Sequence, residues 1–155
     1  MTKTIRIGCA SGFWGDSFFS APQLVTKGNI DYLVFDYLAE ITMSIMARAR
    51  EKDPNAGYAH DFVTVTMAAI ARDVAAKKIK VVTNAGGVNP KACAAALEAL
   101  LAKQGVALKV AYVDGDDVLP RLDTWKAQGV KEMFTGAPLP EKPISVNAYL
   151  GGFPI

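Results

Sequence analysis

Histidine is almost missing from this chain: His60 is alone among 155 residues, and cysteine is nearly as scarce, with only Cys9 and Cys93. A zinc-type site needs several such ligands at short spacing, and no such spacing occurs. Two cysteines cannot build a disulfide framework, so reduced thiols and a cytoplasmic setting are the expectation. No apolar run approaches the roughly 18 residues of a spanning helix. The opening MTKTIRIG passes directly into strand-like alternation and lacks the apolar stretch of a secretory signal. An excess of either charge is also missing. Lys and Arg total 17 against 15 Asp and Glu, mixed along the chain, for a net charge of +2. That pattern predicts neither a nucleic-acid stripe nor a polybasic membrane anchor. Finally, no serine stands in a G-x-S-x-G setting, which leaves an α/β-hydrolase elbow unsupported.

What is present is core-forming material. The sequence is 51% hydrophobic and 21% charged, enough apolar surface for one soluble globular domain spanning 1–155. Strand-like segments at Ile5–Ala10, Tyr32–Phe35, Ile79–Thr83, Leu108–Val113 and Ile144–Asn147 alternate with helical ones. The helices are expected at Ala21–Lys27, from Glu40 to about Glu51, at Asp61–Lys77, after Asn89 up to Gly105, and around Leu122–Gln128. Asn89 as N-cap, Pro90 at the first helical position and Gly105 beyond the last turn make the fourth helix the best signalled. The β-branched run Val63–Thr66 weakens the start of the third. Alternating strands and helices predict an α/β fold, a mostly parallel sheet with helices on both faces in a Rossmann-like three-layer arrangement. Ile5, Ile7 and Cys9 would share one face of the first strand, with Cys9 buried and unreactive. Cys93 would lie with Leu97, Leu100 and Leu101 on a buried helix face.

In such sheets ligands bind outside the carboxyl ends of the strands. Four of the loops expected there are rich in Gly, Asn or Asp. GCASGFWGDS supplies Ser11, Gly12, Trp14, Gly15 and Asp16 as candidate ligand-binding residues, although it matches neither the P-loop nor the dinucleotide fingerprint. Trp14 and Phe13 suit an apolar or planar ligand equally with packing on the core beneath. NAGGVNP offers Asn84, Gly86, Gly87 and Asn89: a strand, a Gly-Gly turn and a capped helix can present main-chain donors to an anion or oxyanion, or the glycines simply supply positive φ. Asp36 and Glu40 are the candidate catalytic acid/base pair, one ending a strand and the other starting a helix. As plain structure, Asp36 would cap that helix and Glu40 complement its dipole. Asp114, Asp116 and Asp117 have the composition of a magnesium cluster, yet DGDD is also ordinary turn material, and no metal is assigned. Asn147 ends the last expected strand and joins Asp114 in the candidate binding set. His60 reads as a surface or capping residue.

Four stretches, IRIGCASGFWGDS, GNIDYLVFDYLAEITMSIMARAR, KVVTNAGGVNPKAC and VNAYLGGFPI, together resemble the N-terminal region of the acyclic terpene utilisation protein family. They run in order along nearly the whole chain. The resemblance implies a catabolic role in the breakdown of acyclic terpenes such as citronellol and geraniol through acyl-CoA derivatives, with a coenzyme A thioester as substrate rather than a resident cofactor. It further implies the N-terminal portion of a longer domain, which agrees with the apolar loop Tyr149–Ile155 standing where another helix is expected. Two function classes follow. One is a lyase or hydratase that binds a branched acyl thioester or carboxylate at the strand-end loops. The other is a non-catalytic binding or scaffold subunit, with a homo-oligomer or a partner polypeptide covering its C-terminal end.

Overall fold

The computed structural model describes residues 4–155. Its elements are β1 (Ile7–Ser11), α1 (Ser20–Lys27), β2 (Tyr32–Phe35), α2 (Glu40–Lys52), a π-helical turn (Phe62–Met67), α3 (Ala68–Lys77), β3 (Lys80–Thr83), α4 (Pro90–Gln104), a 3-10 turn (Leu119–Arg121) and α5 (Leu122–Ala127). The strands form a parallel sheet in the order β1-β2-β3. The fold is α/β, as the alternation of patterns predicts, and no helix among the described residues is long and apolar enough to cross a membrane. The chain separates into two compact units, one up to Tyr112 and one from Val113 to Ile155.

In the first unit, the covered face of the sheet carries Gly8 and Ala10 from β1 with Leu33 and Phe35 from β2, all buried. This reverses the expectation for β1. Ile7 is 61% exposed and Cys9 is exposed as well, so the larger side chains point away from the core. The cause is close helix approach. A Cβ at Gly8 would lie 3.2 Å from both Leu24 of α1 and Ile30, so only the small-residue side of β1 admits the helix. Asn29, with φ 45°, then turns the chain out of α1 toward β2.

The expected helix Asp61–Lys77 is present with Met67, Ile70, Ala71 and Val74 all buried. Its first part is π-helical over the very residues, Phe62–Met67, that include the β-branched run. The wider turn relieves crowding of Val63, Thr64, Val65 and Thr66 against the preceding turn. The fourth helix follows its signals closely. Asn89 Oδ1 accepts from Ala92 N–H at 3.3 Å, Pro90 opens it, and Gly105 closes it at φ 67°. Cys93 and Leu101 are buried on one side, as expected.

Two expected strands are not formed. Residues 108–113 take no ladder partner among the described residues, although Leu108 and Val110 remain half-buried between exposed neighbours. The alternation survives, but a strand also needs a partner edge, and β3 is bonded only to β2. Ile144–Asn147 likewise forms no strand; Asn147 makes one isolated antiparallel bridge to Asp117. In that second unit Val118 N–H donates to Val146 and Ala148 N–H to Asp116, at 2.9 and 2.8 Å. α5 stands where the sequence places it, with Leu122 buried.

Candidate functional site

Above the strand ends, the loops after β1, β2 and β3 converge and are bonded to one another. Asp36 N–H donates to the Ser11 carbonyl and Trp14 N–H to the Tyr37 carbonyl, both at 3.2 Å, joining the first loop to the second. Asn84 joins the second to the third. Its Oδ1 accepts from Tyr37 N–H at 2.7 Å, while its Nδ2 donates to Asp36 Oδ1 at 2.7 Å. An amide is the one uncharged side chain with an acceptor and two donors on a common plane, so Asn fits this bridging place and Asp would not. Asp36 therefore does not cap α2. The N-cap is Ala39, whose N–H donates to Thr42 Oγ1 at 2.7 Å. Among the described residues no hydrogen bond joins Asp36 to Glu40, which lies exposed in the first turn of α2.

A fourth segment, in which no sequence pattern marks a site residue, reaches the same place. The indole Nε1 of Trp14 donates to Asp61 Oδ1 at 2.6 Å, across 47 residues of chain. Tyr37, buried beside it, has its phenol close to the hydroxyl of Thr66 in the π-helical turn. Burial raises the Tyr37 phenol above its ordinary range, and the charges of Asp61 and Asp16 push the same way, while the neighbouring Thr66 hydroxyl opposes them. Tyr37 is thus a neutral hydroxyl at ordinary pH. Beneath it, Phe35 and Phe62 pack edge to face at 5.4 Å, with Tyr37 at 5.7 Å from Phe35. Asp61 and Thr66 have no clear sequence signal because the β-branched run hides the helical period there, a local weakness that is itself the one available sign, since π-turns mark functional positions; Tyr37, in the loop after β2, reads as an ordinary apolar residue.

The glycines divide into two kinds. Gly87, at φ 55°, is required by space: a Cβ there would run into the Met46 sulphur and the Gly57 carbonyl. Gly15, at φ 89°, faces open space and is required by conformation alone. The turn Asn84–Asn89 uses its own donors: Ala85 N–H bonds Thr83 Oγ1, Gly87 N–H the Asn84 carbonyl, Val88 N–H the Gly57 carbonyl and Asn89 N–H the Gly86 carbonyl. Asn89 Nδ2 ties Pro54 and Ala56, at 2.9 and 2.8 Å, and an Arg50 guanidinium donates to the Val88 carbonyl. Four main-chain donors of this loop are thus spent on holding its shape.

Three side chains on the converging segments are acidic. Asp16 accepts from Gly12 N–H at 2.7 Å, Asp61 from Trp14 and Asp36 from Asn84; none of these hydrogen bonds comes from a Lys or Arg. No group of three metal-type ligands gathers among the described residues. His60, exposed, stacks on Tyr58 at 4.1 Å. Asp114 and Asn147 belong to the second unit, where Asn147 Nδ2 donates to Asp116 Oδ2 at 3.3 Å.

A family model described as acyclic terpene utilisation family protein AtuA matches residues 5–155. The chain belongs to this family. No curated protein and no solved structure matches it. For this member of the acyclic terpene utilisation family, the match gives a role in acyclic terpene utilisation, and three of the four quoted stretches each include one of the converging strand-end loops.

Proposed function

We propose that the chain binds the acyl thioester of a branched, terpene-derived acid at the strand-end loops and moves a proton there with Asp36, in a lyase or hydratase step of breakdown. The observation that carries this reading is the Asn84 bridge. It fixes Asp36 Oδ1 at 2.7 Å while the carboxylate, on an exposed residue, takes no second hydrogen bond among the described residues. A carboxylate oriented through one oxygen and open at the other is placed to accept a proton. The acidic surroundings favour a neutral thioester carbonyl over a free carboxylate, because a further negative charge beside Asp16, Asp36 and Asp61 would be repelled. Trp14, held by Asp61, would lie along the apolar chain. Asp36 is the better placed of the two candidate carboxylates, since Glu40 has no such orienting partner.

The test is conversion of the coenzyme A thioesters of citronellic and geranic acid, followed by mass spectrometry with the whole chain. Asp36→Asn is expected to lower turnover by about 10²- to 10⁴-fold, the usual loss on removing a general base, and Glu40→Gln by less than about tenfold. Unchanged conversion in Asp36→Asn would sink the reading.

A second reading rests on a different observation. In the unit from Val113 to Ile155, Phe134, Tyr149 and Phe153 are 87%, 88% and 103% exposed. Large apolar side chains this open suit a surface covered by another polypeptide, and the chain would then serve as a docking subunit. Sedimentation of wild type against Phe134→Ser/Phe153→Ser checks it: the reading expects self-association or partner binding that the double variant loses.

A further inference from the structure

β1 ends in a bulge. Cys9 pairs with Val34, yet the next pair is Ser11 with Phe35, so two steps on β1 match one on β2. Without the bulge, alternation would turn Ser11 to the open face with Ile7 and Cys9. With it, Ser11 stands in register with Phe35 on the covered face, and bulges commonly re-aim a side chain in this way beside a functional site. Ser11 is only 5% exposed, and its hydroxyl has no hydrogen-bond partner among the described residues. The fold uses its backbone instead. The Ser11 carbonyl accepts from Asp36 N–H at 3.2 Å and from the Cys9 thiol at 3.3 Å. A buried hydroxyl left over by the fold calls for a reason, because alanine would fill the same place at no polar cost.

We infer that the Ser11 hydroxyl is a ligand-binding group, which donates to the carbonyl oxygen of the acyl thioester. The inference rests on the proposed function and adds the atom that recognises the substrate. Ser11 and Asp36 are joined backbone to backbone, and the inference has the ligand carbonyl enter the covered face at Ser11 with the carbon next to it turned toward Asp36. In that step the carbon–hydrogen bond next to the thioester breaks and the proton passes to Asp36. Its electron pair shifts onto the thioester oxygen, where the Ser11 hydrogen bond strengthens as negative charge develops. A hydroxyl suits the site better than a cation would, since it supplies a donor without forming an ion pair with Asp36.

The experiment compares wild type, Ser11→Ala, Ser11→Cys and Asp36→Asn as full chains, with the coenzyme A thioester of citronellic acid and free citronellic acid as probes. Calorimetric titration is expected to show the thioester binding to wild type and to Asp36→Asn, at least tenfold more weakly to Ser11→Ala and Ser11→Cys, and the free acid more weakly than the thioester throughout. The unliganded melting temperature of Ser11→Ala is expected to equal or exceed that of wild type. A fall of several degrees would mean that the hydroxyl serves the fold and would overturn the inference. Equal thioester affinity in wild type and Ser11→Ala would overturn it too, leaving the proposed function standing. If wild type binds no thioester, the proposed function fails and the inference with it.

Discussion

Asn84 shows how one side chain can hold a site together. Its amide answers both Tyr37 N–H and Asp36 Oδ1 at 2.7 Å, so replacing it with an apolar residue of similar size leaves Tyr37 N–H without its acceptor. Asn84→Leu is expected to cost about 1–3 kcal/mol, the usual penalty for an orphaned buried donor, read from the urea midpoint. It is also expected to lower any Asp36-dependent turnover, because the carboxylate loses its orientation. The cysteines give a second check at this scale. Burial pushes the Cys93 thiol up to about 11, whereas Cys9 is exposed on the open face of the sheet. A thiol reagent at pH 8 is expected to modify Cys9 in the folded chain and spare Cys93 until denaturant is added, as peptide mapping would show. The sequence placed Cys93 correctly, since helical spacing from Leu101 settles its face. It misplaced Cys9, because which side of a strand is buried depends on the helix that packs there.

Among the elements, the loop after β1 and the π-helical turn act as a pair. Trp14→Phe keeps the ring but removes the indole N–H from Asp61, a bond of 2.6 Å to a charged acceptor. It is expected to cost about 1.5–3 kcal/mol and to speed amide exchange through residues 12–16. Gly87→Ala tests the turn after β3. The added methyl meets the Met46 sulphur and the Gly57 carbonyl at a backbone angle of φ 55°, so a loss of about 2–4 kcal/mol in unfolding free energy is expected, from overpacking with backbone strain added. The capped helix α4 was legible residue by residue, because capping is local chemistry. The π-helical turn was legible only as a weak helix. Its partners, Trp14 and Tyr37, come from loops far away in sequence, and no local pattern names them.

At the scale of the whole molecule, three buried groups set the response to alkali. Tyr37, Tyr58 and Cys93 all have pKa values raised in the folded state, in each case chiefly by burial. A group whose folded pKa is raised gives stability that is complete below its unfolded pKa and lost as pH rises through the folded value. Stability is therefore expected to hold up to about pH 9 and to fall steadily from there to above pH 11, with Cys93 contributing on the order of 2 kcal/mol from its own shift. Chemical denaturation across this range checks the slope, and Cys93→Ala is expected to flatten its first part.

By itself the sequence determined the α/β class, the parallel strands β1, β2 and β3, the well-capped α4 and the family, since each follows from local periodicity, cap chemistry or contiguous motifs. Tertiary structure alone decided that Gly8 and Ala10, not Ile7 and Cys9, face the core. It also decided that residues 108–113 remain unpaired and that Asp61 and Thr66 join Trp14 and Tyr37 above the strand ends. The physical reason is common to all three. Periodicity records which side chains can share a face, but burial, strand pairing and a site's hydrogen bonds are made between segments distant in sequence, and only the folded arrangement brings those segments together.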